Sequence, residues 1–278
     1  MSGGAGRRST LPGFGLTMGL TLTWLSVIIL IPLAGLFLKT LELSPGQFWD
    51  ILTSRRTLNA LKLSFGLSFA AACVNLVMGT IIVWALVRYR FPGRRLFDAI
   101  VDIPFALPTA VAGVALTQLF AQKGWLGAPL AELGIKVAFT PIGIFIAMVF
   151  IGIPFVVRTV QPVLIDLDAE IEEAAASLGA NRWHTVFRVI LPSLTPALLT
   201  GFALAFARAV GEYGSVIFIA GNLPNVSEIA PLLIVIRLSE FRYADATAIA
   251  VIMLLASFLI ILVVNRLQRW AQTRIPAH

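Results

Sequence analysis

Long apolar runs alternate with short polar segments along this chain, and several runs exceed the roughly 18 residues that cross a bilayer as a helix. The fifth run has a helix start signal, because Thr195 suits the N-cap position and Pro196 the first helical position. The pattern predicts an all-α integral membrane protein with six transmembrane helices in a single domain over residues 1–278. The predicted spans lie near residues 16–38, 61–87, 99–120, 141–159, 196–220 and 246–264.

The composition indicates that lipid, and not water, surrounds most of the chain. The protein is 58% hydrophobic and only 13% charged, whereas a soluble domain carries about 25% charged residues. The sole cysteine, Cys73, excludes an internal disulfide and a cysteine-based metal site. The only histidines are His184 and the terminal His278, so a His-rich metal arrangement and a Ser–His–Asp-like triad are not indicated, and we expect no bound metal and no catalytic residue in this chain.

The distribution of basic residues predicts the orientation in the membrane. Arg7 and Arg8 precede a first apolar run that is too long for the hydrophobic part of a signal peptide, so we interpret this run as an uncleaved first helix. The segments on the side of the termini contain more Lys and Arg than the opposite segments, most densely at 88–95. By the positive-inside rule both termini are cytoplasmic.

The longest segment on the predicted cytoplasmic side, 160–195, has the pattern of a soluble helix, a glycine turn and a second helix ending at Pro192. Carboxylates crowd the first helix, and Gly179 stands where a helix C-cap is expected. An acidic helix is repelled by anionic lipids, so we expect it to dock on a protein partner. A pair of helices lying on the lipid headgroups remains the alternative. The apolar stripe of the first helix comprises Leu167, Ile171, Ala174, Ala175 and Leu178.

The fifth span contains charged residues that are candidates for function. Arg208 and Glu212 are each unfavourable inside a membrane by at least about 2.5 kcal/mol. Their i,i+4 spacing places them on one helix face, where they can form an ion pair. A structural pair and the lining of a substrate path both fit this arrangement. Gly211 and Gly214, on either side of Tyr213, are typical of a gate or of a tight helix crossing.

The third span contains the stretch DIPFALPTAVAG at 102–113. Pro104 and Pro108 free backbone carbonyls, which neighbouring groups or water in a cavity must satisfy. Thr109 and the small residues after it leave room for such a cavity. A kinked packing helix is the alternative.

The segment at 173–192 also resembles a known motif. It is similar to the EAA loop of ABC-importer permease subunits, E-A-A-x3-G-x9-I-x-L-P, with valine in place of isoleucine at Val189. The resemblance implies a type I importer fold in which this loop forms a cytoplasmic coupling helix that docks on an ATPase subunit. The chain has no G-x-x-x-x-G-K-[ST] motif, so ATP and Mg belong to that partner, and we expect no cofactor here. The matching residues are Glu173, Ala174, Ala175, Gly179, Leu191 and Pro192.

The stretches LPTAVAG and RAVGEYGSVIFIAGN resemble the T-type branch of the sulfate and thiosulfate permeases. This resemblance implies alternating-access import across the bacterial inner membrane. The implied partners are a related second permease subunit, two ATP-binding cassette subunits and a periplasmic sulfate-binding protein. Candidate path or gate residues are Thr109, Arg208, Gly211, Glu212, Tyr213, Gly214 and Ser215.

Three other functions remain as alternatives. A molybdate or tungstate permease shares the glycine–glutamate–aromatic–glycine core of the fifth span. An ion-coupled secondary oxyanion transporter needs an embedded carboxylate site, for which Asp98, Asp102 and Glu212 are the candidates. A membrane anchor for a cytoplasmic enzyme explains the acidic helix but not the charged fifth span.

Overall fold

The computed structural model describes residues 13–273, and within this range the chain is built of helices with no strand. Arg7 and Arg8 lie outside the described residues. The described helices are α1 (Phe14–Thr40), α2 (Pro45–Thr53), α3 (Arg55–Arg88), α4 (Arg94–Val101), α5 (Ile103–Ala106), α6 (Thr109–Phe120), α7 (Gly127–Glu132), α8 (Pro141–Ile165), α9 (Ala169–Ser177), α10 (Arg182–Val210), α11 (Val216–Ile219), α12 (Ala230–Ser239) and α13 (Tyr243–Thr273).

Five of the described helices are long and apolar enough to cross a membrane: α1, α3, α8, α10 and α13. The predicted spans 16–38, 61–87, 141–159 and 246–264 each lie inside one of these helices, which extend past the predicted bounds. Hydropathy underestimates the lengths because it detects only the apolar part of each helix. The polar ends of the helices contain the charged residues described below.

The predicted third span, 99–120, is not one helix. The chain breaks there into α4, α5 and α6, none of which has 18 residues. Pro104 is the second residue of α5, and Pro108 is the N-cap residue of α6. Leu107 is extended, with φ −83° and ψ 133°, in accord with the bias of a residue before proline away from the helical region. The prolines thus divide the segment instead of only kinking it.

The predicted start of the fifth span was also wrong. Helix α10 begins at Arg182, and the side chain of Asn181 caps it by accepting from the backbone N–H of His184 at 2.8 Å. Pro196 lies inside the helix. The hydroxyl of Thr195 donates to the carbonyl of Leu191 at 3.0 Å and caps nothing.

Two wide π-helical turns explain how α1 continues through Pro32 and α10 through Pro192. The turns are Ser26–Leu30 and Val186–Ile190, and each ends two residues before a proline, Pro32 or Pro192. A proline ring crowds the carbonyl four residues earlier, which here lies inside the wide turn. Because the wider turn moves that carbonyl away, the helix continues through the proline.

The core of the bundle is a close crossing of α3, α8 and α10 on small residues. A Cβ atom at Gly79 of α3 would lie 2.8 Å from Cγ1 of Val156, and one at Gly201 of α10 would lie 3.0 Å from its Cα. Val156 itself is fully buried. Small residues let helix backbones approach closely in a membrane, so this crossing forms the scaffold of the sites below.

Candidate coupling and translocation sites

Helix α9 ends in a defined glycine turn. Gly179 has φ +84°. Its N–H donates to the carbonyl of Ala176 and that of Ala180 to the carbonyl of Ala175, both at 3.0 Å. These two bonds are the Schellman motif, which confirms the predicted turn. A Cβ atom at Gly179 would meet no atom within 4 Å, so the backbone conformation alone favours glycine there.

The end of the bundle that carries α9, called the α9 end below, exposes a group of large apolar side chains. Trp183 and Phe187 stack with ring centroids 5.8 Å apart, although they are 73% and 61% exposed. An exposed apolar patch of this kind marks an interaction site. We call the group the coupling surface; it consists of Ile171, Leu178, Trp183 and Phe187.

The structure divides the predicted stripe and motif residues between this surface and the bundle. Leu167 and Leu191 pack against the core, whereas Glu173, Ala174 and Pro192 are exposed and Ala175 is half-buried. The first helix therefore presents only part of its apolar stripe outward.

Adjacent carboxylates on α9 have different surroundings. Oε1 of Glu172 lies 2.5 Å from Nη2 of Arg88, an ion pair without the alignment of a hydrogen bond. The side chain of Glu173 has no ion pair or hydrogen bond among the described residues. Glu172 thus fastens α9 to the end of α3, and Glu173 is free to contact a partner. No sequence pattern points to Arg88, which lies far along the chain from Glu172.

A second arginine, Arg158 of α8, holds the region of α4 in place. Its Nε and Nη2 donate to the carboxylate of Asp102 at 2.8 and 2.6 Å, in the strong bidentate geometry. Its Nη1 donates to Oδ1 of Asp98 at 2.7 Å and to Oε1 of Gln161 at 2.6 Å. Both aspartates that were candidates for an ion-coupling site are therefore paired with one guanidinium.

The break between α10 and α11 contains the charged residues of the predicted path. Helix α10 ends at Val210, so Glu212 lies beyond the helix and not on its face as predicted. The predicted ion pair with Arg208 nevertheless forms. Oε1 of Glu212 also accepts from the N–H and the hydroxyl of Ser215, at 2.8 and 2.9 Å. These bonds hold the non-helical turn that follows α10.

Helix α6 packs directly on this break. A Cβ atom at Gly214 would lie 2.2 Å from Oγ1 of Thr109, and one at Gly113 would lie 2.4 Å from the carbonyl oxygen of Ser215. Gly214 is therefore required for close packing, whereas Gly211 is exposed. The structure brings the candidate path residues into one cluster, the break site, which consists of Thr109, Arg208, Gly211, Glu212, Tyr213, Gly214 and Ser215.

The break site combines a buried carboxylate with an accessible guanidinium. The side chain of Glu212 is 2% exposed, whereas that of Arg208 is 31% exposed. Only Nη1 of Arg208 is used by Glu212, and the other donors of Arg208 have no partner among the described side chains. A guanidinium with free donors is suited to bind an oxyanion. The described residues contain no group of three or more side chains arranged to hold a metal ion.

The opposite end of the bundle contains an ion pair that sequence analysis missed. Arg56 of α3 binds Glu228 in a bidentate fashion, with Nε and Nη2 at 2.8 and 2.6 Å from the carboxylate oxygens. Glu228 is 2% exposed. The N–H of Ala230 donates to Oγ of Ser64 at 2.8 Å. These bonds fix the start of α12 on α3.

Comparison with solved structures defines the class of protein. A chain of the bacterial ABC transporter that imports the acidic polysaccharide alginate superposes with a TM-score of 0.76 at 17% identity, covering 92% of this chain and 96% of that one. The inward-facing MetNI methionine ABC transporter gives a TM-score of 0.59 at 18% identity, covering 82% and 99%. The fold is that of an ABC importer permease, which confirms the predicted fold class.

Residues 76–276 match the family described as the binding-protein-dependent transport system inner membrane component. The chain belongs to this family. It is 48% identical over 271 residues, 98% of each chain, to the sulfate transport system permease protein CysT of Escherichia coli K12. It is 50% identical over 251 residues, 90% of each chain, to the protein of the same name from Synechococcus elongatus. This chain is thus a multi-pass permease component and not the ATPase.

Proposed function

We propose that this chain is one membrane subunit of an ATP-driven importer that moves sulfate, and also thiosulfate, into the cytoplasm. The observation that supports sulfate as the substrate is the 48% identity over 98% of the chain to a permease named for sulfate transport. A dianion that enters against an inside-negative potential of about 100 mV requires on the order of 4.6 kcal/mol. This requirement supports ATP-coupled transport over a passive path.

The coupling surface is the docking site for the ATPase subunits. Ile171, Leu178, Trp183 and Phe187 supply apolar contacts, and Glu173 and Gly179 supply the polar contact and the turn. ATP and Mg bind to the ATPase, and this chain binds no cofactor of its own. The remaining partners are a second, related permease subunit and a periplasmic sulfate-binding protein. A periplasmic protein is also named in the complex of the related alginate transporter.

The α9 end faces the cytoplasm in this proposal, with both termini on that side of the inner membrane. The basic segment 88–95 lies at this end, where Arg88 contacts α9, in accord with the positive-inside rule. The pair of Arg56 and Glu228 then lies at the periplasmic end, where the binding protein delivers the anion.

Helix α10 connects the coupling surface with the break site. It has 29 residues and is therefore about 43 Å long at about 1.5 Å per residue. Trp183 and Phe187 stand near its start, and Arg208 stands near its end. When the ATPase dimer closes and moves α9, the start of α10 moves with it. The displacement reaches Arg208 and the non-helical turn behind it, which opens and closes the path.

Arg208 binds the dianion at the break site, and Glu212 and Ser215 hold its guanidinium in place. The hydrogen bonds from Ser215 keep the carboxylate of Glu212 oriented toward Arg208. An anion therefore meets a cation whose charge is partly balanced, so that it binds without being trapped. No observation favours the molybdate, tungstate or secondary-transporter alternatives, and Asp98 and Asp102 are both paired with Arg158.

Uptake of labelled sulfate into vesicles tests this proposal. The vesicles contain this chain, its sister permease and the ATPase, and loaded binding protein is added with and without ATP. We expect ATP-dependent uptake that excess molybdate barely reduces. Strong competition by molybdate would assign the chain to molybdate transport, and uptake without ATP would overturn the coupling proposal.

A further inference from the structure

Helix α4 is a short amphipathic helix whose apolar face is not covered by the rest of the chain. Leu96, Phe97 and Ile100 lie on one face and are 64%, 55% and 46% exposed. Arg95 and Asp98 lie on the opposite face, as the helical period of 3.6 residues requires.

Three basic residues of this region have no acidic partner among the described residues. Arg90, Arg94 and Arg95 form no ion pair among the described residues, whereas Arg88 contacts Glu172. Asp98, the only carboxylate on α4, is bound to Arg158. Three cations therefore stand uncompensated beside an exposed apolar face.

The apolar face of α4 continues into exposed apolar surface on α5. Ile103 and Phe105, which follow on α5, are 40% and 53% exposed. Gly93, with φ +82°, turns the chain into α4, and the rings of Phe91 and Phe97 meet edge to face with centroids 5.8 Å apart. Helix α4 thus lies at the boundary between the apolar bundle surface and the polar segment that ends α3.

We propose that α4 lies in the headgroup layer of the membrane, with Leu96, Phe97 and Ile100 among the acyl chains. Arg90, Arg94 and Arg95 bind the phosphates of anionic phospholipids. A helix with cations on its polar side and Phe and Leu on the other is the type that binds membrane surfaces. Basic clusters directly beside the cytoplasmic end of a spanning helix favour anionic lipid. That these lipids belong to the cytoplasmic leaflet rests on the orientation given under the proposed function.

The depth of α4 in the membrane is the first test. Cys73 is the only cysteine of the chain, so Cys73→Ala gives a cysteine-free background. A single fluorescent label is attached at Leu96→Cys on the apolar face or, as the matched control on the polar face, at Arg95→Cys. This chain and its sister permease are placed, first without the ATPase, in vesicles of phosphatidylcholine and phosphatidylglycerol with nitroxides high on the acyl chains. We expect strong quenching of the label at position 96 and weak quenching at 95. Equal quenching would overturn the proposal, as would loss of the quenching at 96 when the ATPase is bound, because a protein partner would then cover the face.

The charge requirement is the second test. We compare the retention of phosphatidylglycerol by native mass spectrometry for the wild type, for Arg90→Gln/Arg94→Gln/Arg95→Gln and for the same triple change to Lys. We expect retention to fall by about fivefold for each arginine removed and to be preserved by Lys. Unchanged retention in the Gln triple variant would contradict the proposal, and single Gln variants answer the question if the triple variant fails to fold. Neither test uses sulfate, ATP turnover or the binding protein, so their outcome is independent of the transport proposal.

Discussion

Helices α4 and α9 lie at the same end of the bundle and are similar in size, with 8 and 9 residues, but they differ in the sign of their charge. Each is fastened to a long helix by a carboxylate on an arginine, Asp98 on Arg158 and Glu172 on Arg88. Helix α4 keeps free arginines, and α9 keeps free carboxylates. The comparison shows that amphipathic pattern alone does not identify a partner. The uncompensated charge separates a helix suited to lipid from one suited to a protein groove.

The largest effect is expected at the turn that ends α9. Gly179→Val forces a β-branched residue into the left-handed region, so we expect ATP-driven uptake to fall to the background without ATP. Open space around Gly179 predicts that the chain still inserts and assembles. Gly179→Asn is the matched control, because asparagine tolerates this conformation. Normal uptake by the valine variant would show that the glycine turn at the end of α9 is not needed to couple ATP hydrolysis to uptake.

The next largest effect is expected at the far end of α10, where Arg208 and Glu212 form the ion pair of the break site. Arg208→Gln removes charged hydrogen bonds, and we expect uptake to fall by at least about tenfold. The double variant Arg208→Gln/Glu212→Gln separates the roles of the pair, because it also removes the buried carboxylate. If Arg208 binds the anion, the double variant assembles but does not transport. Transport restored in the double variant would reduce Arg208 to a structural partner.

A smaller effect is expected from loosening α9. Glu172→Gln removes a partly exposed ion pair, which contributes up to about 1 kcal/mol, so uptake per ATP should fall by no more than about fivefold. Exchanging the charges in Glu172→Arg/Arg88→Glu should restore the ratio of uptake to ATP hydrolysis. If the exchanged pair is no better than Glu172→Gln, the contact between α9 and α3 does not couple ATP hydrolysis to uptake.

The smallest effect is expected from the corresponding pair at α4. In Asp98→Asn the guanidinium of Arg158 keeps its bidentate bond to Asp102, so uptake should change by less than about twofold. Asp102→Asn, which loses the bidentate bond, should have the larger effect in the same uptake assay. The reverse order would show that α4, and not the start of α5, is what Arg158 holds.

Features set by neighbouring residues were predictable from the sequence. Hydropathy located the long helices, and the spacing of acidic, small and glycine residues predicted the turn at Gly179, whose left-handed conformation the structure confirms. The ion pair of Arg208 with Glu212 also followed from local spacing. Each of these depends on residues within a few positions of one another, which the chain keeps close even where, as at Glu212, the helix has ended.

Features that depend on packing were not predictable. Pro104 and Pro108 indicated freed carbonyls, but not that the segment divides into three helices. Pro192 resembled a stop signal because the wide turn before it leaves no mark in composition. The pairs of Arg158 with Asp98 and of Arg56 with Glu228 join residues 60 and 172 positions apart. Because many oppositely charged residues occur along the chain, the sign of a charge alone does not predict which residue it pairs with.

The π turn at Val186–Ile190 also determines the rotational phase of α10. Each residue advances an α-helix by about 100°, so a wide turn with one additional residue sets the angle between the ring of Trp183 and the guanidinium of Arg208. Narrowing this turn to an α turn with all its residues kept would leave a helix of the same composition and hydropathy. The coupling surface and the break site would then point in directions about 100° from their present relation. In this helix, the width of one turn is as necessary to the protein as the chemical character of its residues.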